Sequence, residues 1–241
     1  MVTYERAGAA AVVTIDRPER RNAVDGPTAA ALLEAYERFV SDRGARVLVV
    51  AGAGDKAFCA GADLKALETL DPDAPGGPMG FTRLACPKPA IAAIGGWCVA
   101  GGLEIALWCD LRIAAEHSRF GCLERRWGVP LIDGGTQRLP RVVGLGRALD
   151  LILTGRAIDA GEALEIGLVN EVVPRGRHVE RALAVAEAIA AHPQETMLSD
   201  REAALAAHEM PLAEGLAHEA RLGRRRLAAA LEGARRFRSE G

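Results

Sequence analysis

Apolar positions along the chain follow two rhythms. Short runs rich in Val, Ile, Leu and Ala recur at Ala11–Ile15, Val47–Val50, Ala90–Ile94 and Leu111–Ala114. Each predicts a strand, and the wholly apolar runs at 47–50 and 90–94 suit a sheet covered on both faces. Helical spacing lies between them. From Pro27 and Thr28 to about Asp42, the apolar residues Leu32, Leu33, Tyr36, Phe39 and Val40 share one side. A second helix is predicted from Gly101 through Leu103, Ala106 and Leu107. Strand and helix alternate in this way to about residue 175, which predicts an α/β architecture. Beyond Pro174 the rhythm changes. His178–Ala191 reads as an Ala-rich helix stopped by His192-Pro193, and nothing after it carries a strand signal. An α/β core over residues 1–175 and a C-terminal helical region over 176–241 are therefore expected. The breaker-rich stretch Pro72–Gly80 is expected to be a loop, and no repeat of fixed period is present.

Composition narrows the classes. Aromatic residues are 4% of the 241, so Ala, Val, Leu and Ile must build the core. The formal net charge of −2 argues against a nucleic-acid binder, which would carry a basic domain. Cys59, Cys86, Cys98, Cys109 and Cys122 contain no C-x-x-C pair; buried reduced thiols are expected, rather than zinc ligands or disulfides. His117, His178, His192, His208 and His218 show no metal-ligand spacing. The chain starts Met1-Val-Thr-Tyr-Glu-Arg without an apolar leader, and no run suits a bilayer span. A soluble, cytoplasmic protein is expected, with no membrane partner. The arginines at 224–226 and 235–236 read as a solvated helix face.

Candidate chemistry sits where glycines and small residues follow strands. Phe58-Cys-Ala-Gly-Ala-Asp-Leu-Lys65 follows Val47–Val50, and Gly95-Gly-Trp-Cys-Val-Ala-Gly-Gly-Leu-Glu104 follows Ala90–Ile94. Both are expected to open helices. First-turn N–H groups lack intrahelical partners and face the positive end of the dipole, so two of them converging would hold a developing anion. Glu104 lies in the first turn of the second helix. An acid there is favoured by the dipole alone, but its neighbours Leu103, Ile105, Ala106, Leu107 and Trp108 mark it as a candidate acid/base. Glu124, taken alone, reads more readily as a loop carboxylate. Asp133 is balanced between capping the helix ahead and an active-site role.

Gly52-Ala-Gly-Asp-Lys-Ala57 formally fits the G-x-G-x-x-G/A pattern of nicotinamide-dependent oxidoreductases. That pattern needs a helix opening inside it, and Phe58-Cys-Ala-Gly follows instead.

Several ordered motifs resemble the crotonase superfamily of enoyl-CoA hydratases and isomerases. They are Phe58–Lys65, Lys88-Pro-x-Ile-Ala-Ala-Ile94, Ala100-Gly-Gly-Leu-Glu-Ile-Ala-Leu-Trp-Cys-Asp110, Phe120-Gly121, Gly134-Gly-Thr-Gln-Arg-Leu-Pro140 and Leu153–Asn170. The resemblance implies a crotonase-like spiral of ββα units with a C-terminal helical region, assembling as trimers or hexamers. It places Ala62 and Gly101 at the two oxyanion-hole positions and Glu104 and Glu124 at the paired glutamates of the hydratases. It further implies an acyl-CoA thioester substrate, hydrated across its 2,3-double bond, with no cofactor beyond the CoA of the substrate. Isomerase or hydrolase chemistry is the alternative, and a non-catalytic acyl-CoA-binding protein a remoter one. The implied substrate-binding set is Arg21, Ala23, Ala60, Ala62, Asp63, Leu64, Lys65, Trp97, Gly101, Trp127, Ile132 and Asp133. Arg20, Arg21 and Lys65 are candidates for phosphate contacts, with simple surface solvation an equal alternative. Arg125-Arg-Trp-Gly-Val-Pro-Leu-Ile-Asp133 departs from the small residues usual after the second glutamate. Trp127 and Ile132 are expected to shorten the acyl channel, and Arg126 and Asp133 to add polar contacts. An aspartate eight residues beyond Glu124, as some relatives use, would fall at Ile132, one short of Asp133.

Overall fold

The computed structural model describes residues 1–240. The chain opens with β1 (Val2–Ala7), β2 (Ala10–Ile15), α1 (Gly26–Ser41), β3 (Val47–Gly52) and β4 (Ala57–Cys59). It continues with β5 (Ala90–Ile94), β6 (Trp97–Val99), α2 (Gly101–Trp108), β7 (Leu111–Ala115) and β8 (Arg119–Gly121). Then come α3 (Gly135–Val143), α4 (Leu145–Thr154), β9 (Ile158–Asp159), α5 (Ala160–Glu165) and β10 (Glu171–Val173). Four helices follow: α6 (His178–Ala191), α7 (Gln194–Ala206), α8 (Leu212–Arg225) and α9 (Leu227–Glu240).

A six-stranded sheet has the order β1-β2-β3-β5-β7-β10, and a four-stranded sheet the order β4-β6-β8-β9. Only the β1–β2 and β8–β9 pairs are antiparallel. The chain therefore steps between sheets: β3 to β4, β5 to β6, β7 to β8. Each step is one turn of the spiral expected from the resemblance. The parallel strands β3 and β5 are buried along nearly their whole length, as their unbroken apolar runs require.

α1 starts where Asp25 Oδ1 accepts the Thr28 N–H at 3.0 Å, with a proline in the first turn. It buries Leu32, Ala35 and Phe39, while Val40 is turned out of the expected apolar face. Phe39, Phe58, Phe81 and Phe120, four of the chain's five phenylalanines, are fully buried, Phe81 against the rings of Tyr36 and Trp108. Cys59, Cys98, Cys109 and Cys122 are buried too, and burial pushes the Cys59 thiol up to about 12.

The segment Gly52–Ala57 leads into strand β4, not into a helix. It thus lacks the helix N-terminus on which a dinucleotide pyrophosphate would sit. Among the described residues no helix is long and apolar enough to cross a membrane.

The chain forms two compact units, Met1–Glu187 and a second beginning at Ala188. In the second, α7, α8 and α9 pack on one another. Ala190, Ser199 and Leu222 are its buried residues among those described, while Leu212, Leu216, Leu231 and Phe237 are exposed.

Candidate active site

One wall of the site is built from β5, β6 and α2. After β6 the chain reverses at Ala100, which adopts φ +53°, ψ −130°. A side chain in that region costs on the order of 1–3 kcal/mol. The turn is pinned from both sides: the Ala100 N–H donates to Gly121 O, and the Glu104 N–H donates to Ala100 O, each at 3.1 Å. Gly101 is thereby delivered as the first residue of α2, with an N–H that no intrahelical carbonyl can reach.

The opposite wall differs from its expected form, since no helix opens at Ala62. Ala62 instead forms an isolated parallel bridge with Val24. The Val24 N–H donates to Gly61 O and the Asp63 N–H to Val24 O, both at 2.8 Å. Neither bond consumes the Ala62 N–H. The reason lies in Asp63. Its carboxylate accepts the Lys65 N–H at 3.1 Å and pairs with Arg17 at 3.3 Å, a side-chain turn that competes with helix formation. Only one helix N-terminus therefore faces the hole.

The two walls touch through glycine. Gly61 has φ +85°, and a Cβ there would lie 2.7 Å from Gly101 N. A Cβ on Gly102 would lie 2.1 Å from Cys59 O. Any larger residue would force apart the strands that bring residues 62 and 101 together.

Two carboxylates close the site. Glu104 is 3% exposed, and its Oε1 accepts the N–H groups of Gly135 at 2.7 Å and Asp133 at 2.9 Å. Burial, reinforced by the charges of Asp133 and Glu124, holds its carboxyl at about 7, although the two amides favour ionisation. Glu124 is buried at the start of a 3-10 turn, Leu123–Trp127. Neither of its carboxylate oxygens has a hydrogen-bond partner, and Arg125 approaches Oε1 only to 3.8 Å. Burial raises its carboxyl as well. An unpartnered buried carboxylate facing a cavity is poised for a ligand.

Ala62, Gly101, Glu104 and Glu124 line one cavity of about 600 Å³. Ala60, Leu64, Trp127, Ile132 and Asp133 line it also. Ala23 is buried, and its carbonyl accepts from Arg17. Lys65 and Arg20 are exposed. Arg21 and Trp97 face a separate surface depression of about 290 Å³, with Lys56 and His117. The Arg21 carbonyl nevertheless anchors this wall by accepting the Ala60 N–H at 3.1 Å.

The 127–133 segment is arranged differently from its sequence reading. Glu124 and Trp127, three residues apart on the 3-10 turn, share a face and both line the cavity, whereas Arg126 does not line it. Arg126 reaches the Gly155 carbonyl at 3.4 Å. Trp127 is 73% exposed, standing at the rim without plugging the cavity. Asp133 does not cap α3, which is entered through Gly134 with no side-chain cap. Its Oδ1 instead accepts the Thr82 hydroxyl at 2.5 Å and the Met79 N–H at 3.0 Å.

Residues that the sequence reading missed complete the wall. Leu67, Leu70 and Met79 line the cavity from turns and loops, where no periodicity marks an inward side chain. Methionine inside the breaker-rich stretch 72–80 was the one visible signal.

The family model described as enoyl-CoA hydratase/isomerase matches residues 5–238. A probable enoyl-CoA hydratase of Rhizobium meliloti is 41% identical over 225 residues, covering 90% of this chain and 86% of that one. The (E)-benzylidenesuccinyl-CoA hydratase of Thauera aromatica is 39% identical, over 89% of this chain and 86% of that one. The crystal structure of an enoyl-CoA hydratase from Bacillus anthracis superposes with a TM-score of 0.91 at 34% identity, covering 99% of this chain and 96% of that one. With the two-sheet spiral and these likenesses running nearly end to end, the chain is an enzyme of the enoyl-CoA hydratase/isomerase family within the crotonase superfamily.

Proposed function

We propose that the protein adds water across the 2,3-double bond of an enoyl-CoA thioester. The observation that carries this reading is the pair of buried carboxylates, Glu104 and Glu124, lining the same cavity as the Ala62 and Gly101 amides. The thioester oxygen accepts both amides, which hold the negative charge that accumulates there as the enolate forms. Glu104, fixed through Oε1 by two N–H groups, takes a proton from water as the water oxygen bonds to Cβ. A carboxyl titrating at about 7 suits a general base near neutral pH. Glu124, buried and without a hydrogen-bond partner, delivers the proton to Cα. Proton exchange between the two carboxylates through solvent then restores the starting state. The acyl group lies against Leu64, Leu67, Leu70 and Leu131, an apolar surface that rewards alkyl or aryl groups.

Association into homotrimers or pairs of trimers belongs to the same reading. α4 exposes Leu145, Leu149 and Leu153 at helical spacing, and α8 exposes Leu212 and Leu216. Such stripes are covered in stable assemblies. Light scattering should return about three or six times the 25.4 kDa chain mass.

Glu104→Gln and Glu124→Gln should each lower kcat on crotonyl-type CoA by about 10²–10⁴, with CoA affinity little changed. Wild-type turnover in both variants would refute hydration by this carboxylate pair.

A further inference from the structure

Asp133 takes no part in the proposed proton transfers, yet it touches both halves of the site. Its N–H donates to Glu104 Oε1 at 2.9 Å. Its carboxylate accepts the Thr82 hydroxyl and the Met79 N–H. Its carbonyl accepts Arg138 Nη1 at 2.9 Å, and Nη2 of the same guanidinium reaches Thr82 O at 2.6 Å. Met79 in turn lies against the oxyanion hole: a Cβ on Gly101 would fall 2.7 Å from its Sδ. The loop closes tightly over the carboxylate, for a Cβ on Gly77 would lie 2.6 Å from Asp133 Oδ1. Asp133 is 2% exposed. A carboxylate so buried is costly to keep, and filling the space would need no charge.

We propose that Asp133 is a positioning residue, clamping the 77–82 loop, with Met79 at the oxyanion hole, to the backbone segment whose amides hold Glu104. The clamp rests on the hydratase reading and deepens it, because it ties the place where negative charge develops to the group that activates water. It also sets the electrostatic surroundings of Glu104. Glu124 on the 3-10 turn and Asp133 oppose its ionisation, while Arg138 on α3 favours it. Arg83 from the 72–83 segment faces Asp133. The buried thiols of Cys122 and Cys109 face Glu104 and Arg138 respectively.

The test compares Asp133→Asn, Asp133→Ala and Thr82→Val by kcat, KM and isotope-edited infrared titration of Glu104. The Glu104 band is assigned by its loss in Glu104→Gln. Asparagine keeps an acceptor for Thr82 and Met79 but no charge. It should lower the Glu104 titration by about half a unit or more, and reduce kcat by about threefold. Asp133→Ala and Thr82→Val should reduce kcat by about tenfold, with KM held within about threefold. Should Asp133→Ala not fold, Thr82→Val still removes one donor of the clamp. An unmoved Glu104 titration in Asp133→Asn, together with wild-type kcat in Thr82→Val, would overturn the proposal. Lower melting temperatures with neither Glu104 nor kcat altered would overturn it also, as packing alone. The infrared titration needs no turnover: if the wild type hydrates no enoyl-CoA but Glu104 moves as expected, the hydratase reading fails and the clamp stands.

Discussion

The segment that supplies Gly101 and the segment that supplies Ala62 are built on different terms. From Gly101 to Trp108 every residue is buried, and the helix is seated by packing on all sides. Beyond Ala62, Leu64 and Leu67 are 47% and 43% exposed, and the chain makes turns and a single short 3-10 helix. Polar ties hold it: Asp63 to Arg17, the Val24 bridge, and Arg83 to the Ile132 carbonyl at 2.8 Å. Packing fixes one wall, whereas a few hydrogen bonds fix the other. Under the proposed function the difference suits a site that keeps one amide still for the developing charge while the other wall admits and releases a substrate.

The sharpest way to break this comparison is to overfill the packed wall and trim the open one. Gly102→Ala places a Cβ 2.1 Å from the Cys59 carbonyl oxygen and 2.7 Å from its carbon, neither of which can turn aside. A loss of about 3 kcal/mol or more is expected in urea denaturation, with little folded protein recovered. Leu67→Ala on the other wall should cost about 0.5 kcal/mol. Similar losses in the two variants would mean that both walls are equally packed.

A second test uses the charge beneath the packed wall. The Glu104 carboxyl titrates at about 7 in the folded chain against an ordinary 4.5. Between those pH values the folded state keeps a proton that the unfolded chain has lost, so stability contributed at low pH is lost as pH rises through 7. By pH 8 this burial costs up to about 3 kcal/mol. Glu104→Gln should therefore be more stable than wild type at pH 8 by about 1–3 kcal/mol and nearly equal at pH 4.5. An equal gain at both pH values would show that Glu104 is not held protonated by burial.

The smallest effect is expected at the open rim. Trp127, 73% exposed, should tolerate truncation to alanine with a melting temperature within about 2 °C of wild type. Kinetics on four-, eight- and sixteen-carbon enoyl-CoA substrates should then show Trp127→Ala extending the rise of kcat/KM with length by no more than about one methylene, worth up to about 0.8 kcal/mol. An unchanged chain-length profile would place Trp127 outside the acyl path.

The elements that the sequence determined are those whose signal is local. Ala90–Ile94 and His178–Ala191 form over the residues their patterns predict, because an apolar run or a helical period is set within a few residues. The small residues at 60–62 and 100–102 and the carboxylates at 104 and 124 were likewise legible, through the ordered motifs that carry the family resemblance. β1, with exposed Glu5 and Arg6, and the three-residue strands β4 and β6 were not, since an edge or so short a strand leaves no period to read. The finer design of the site was settled only in three dimensions. Whether Ala62 opens a helix was decided by Arg17, 46 residues from Asp63. Whether Asp133 caps a helix or clamps a loop was decided by Thr82, 51 residues away. Glu104 meets the amides that fix it 29 and 31 residues further on. Polar side chains in loops take whichever partner the fold brings within about 3 Å, and only the assembled sheets determine which partner that is.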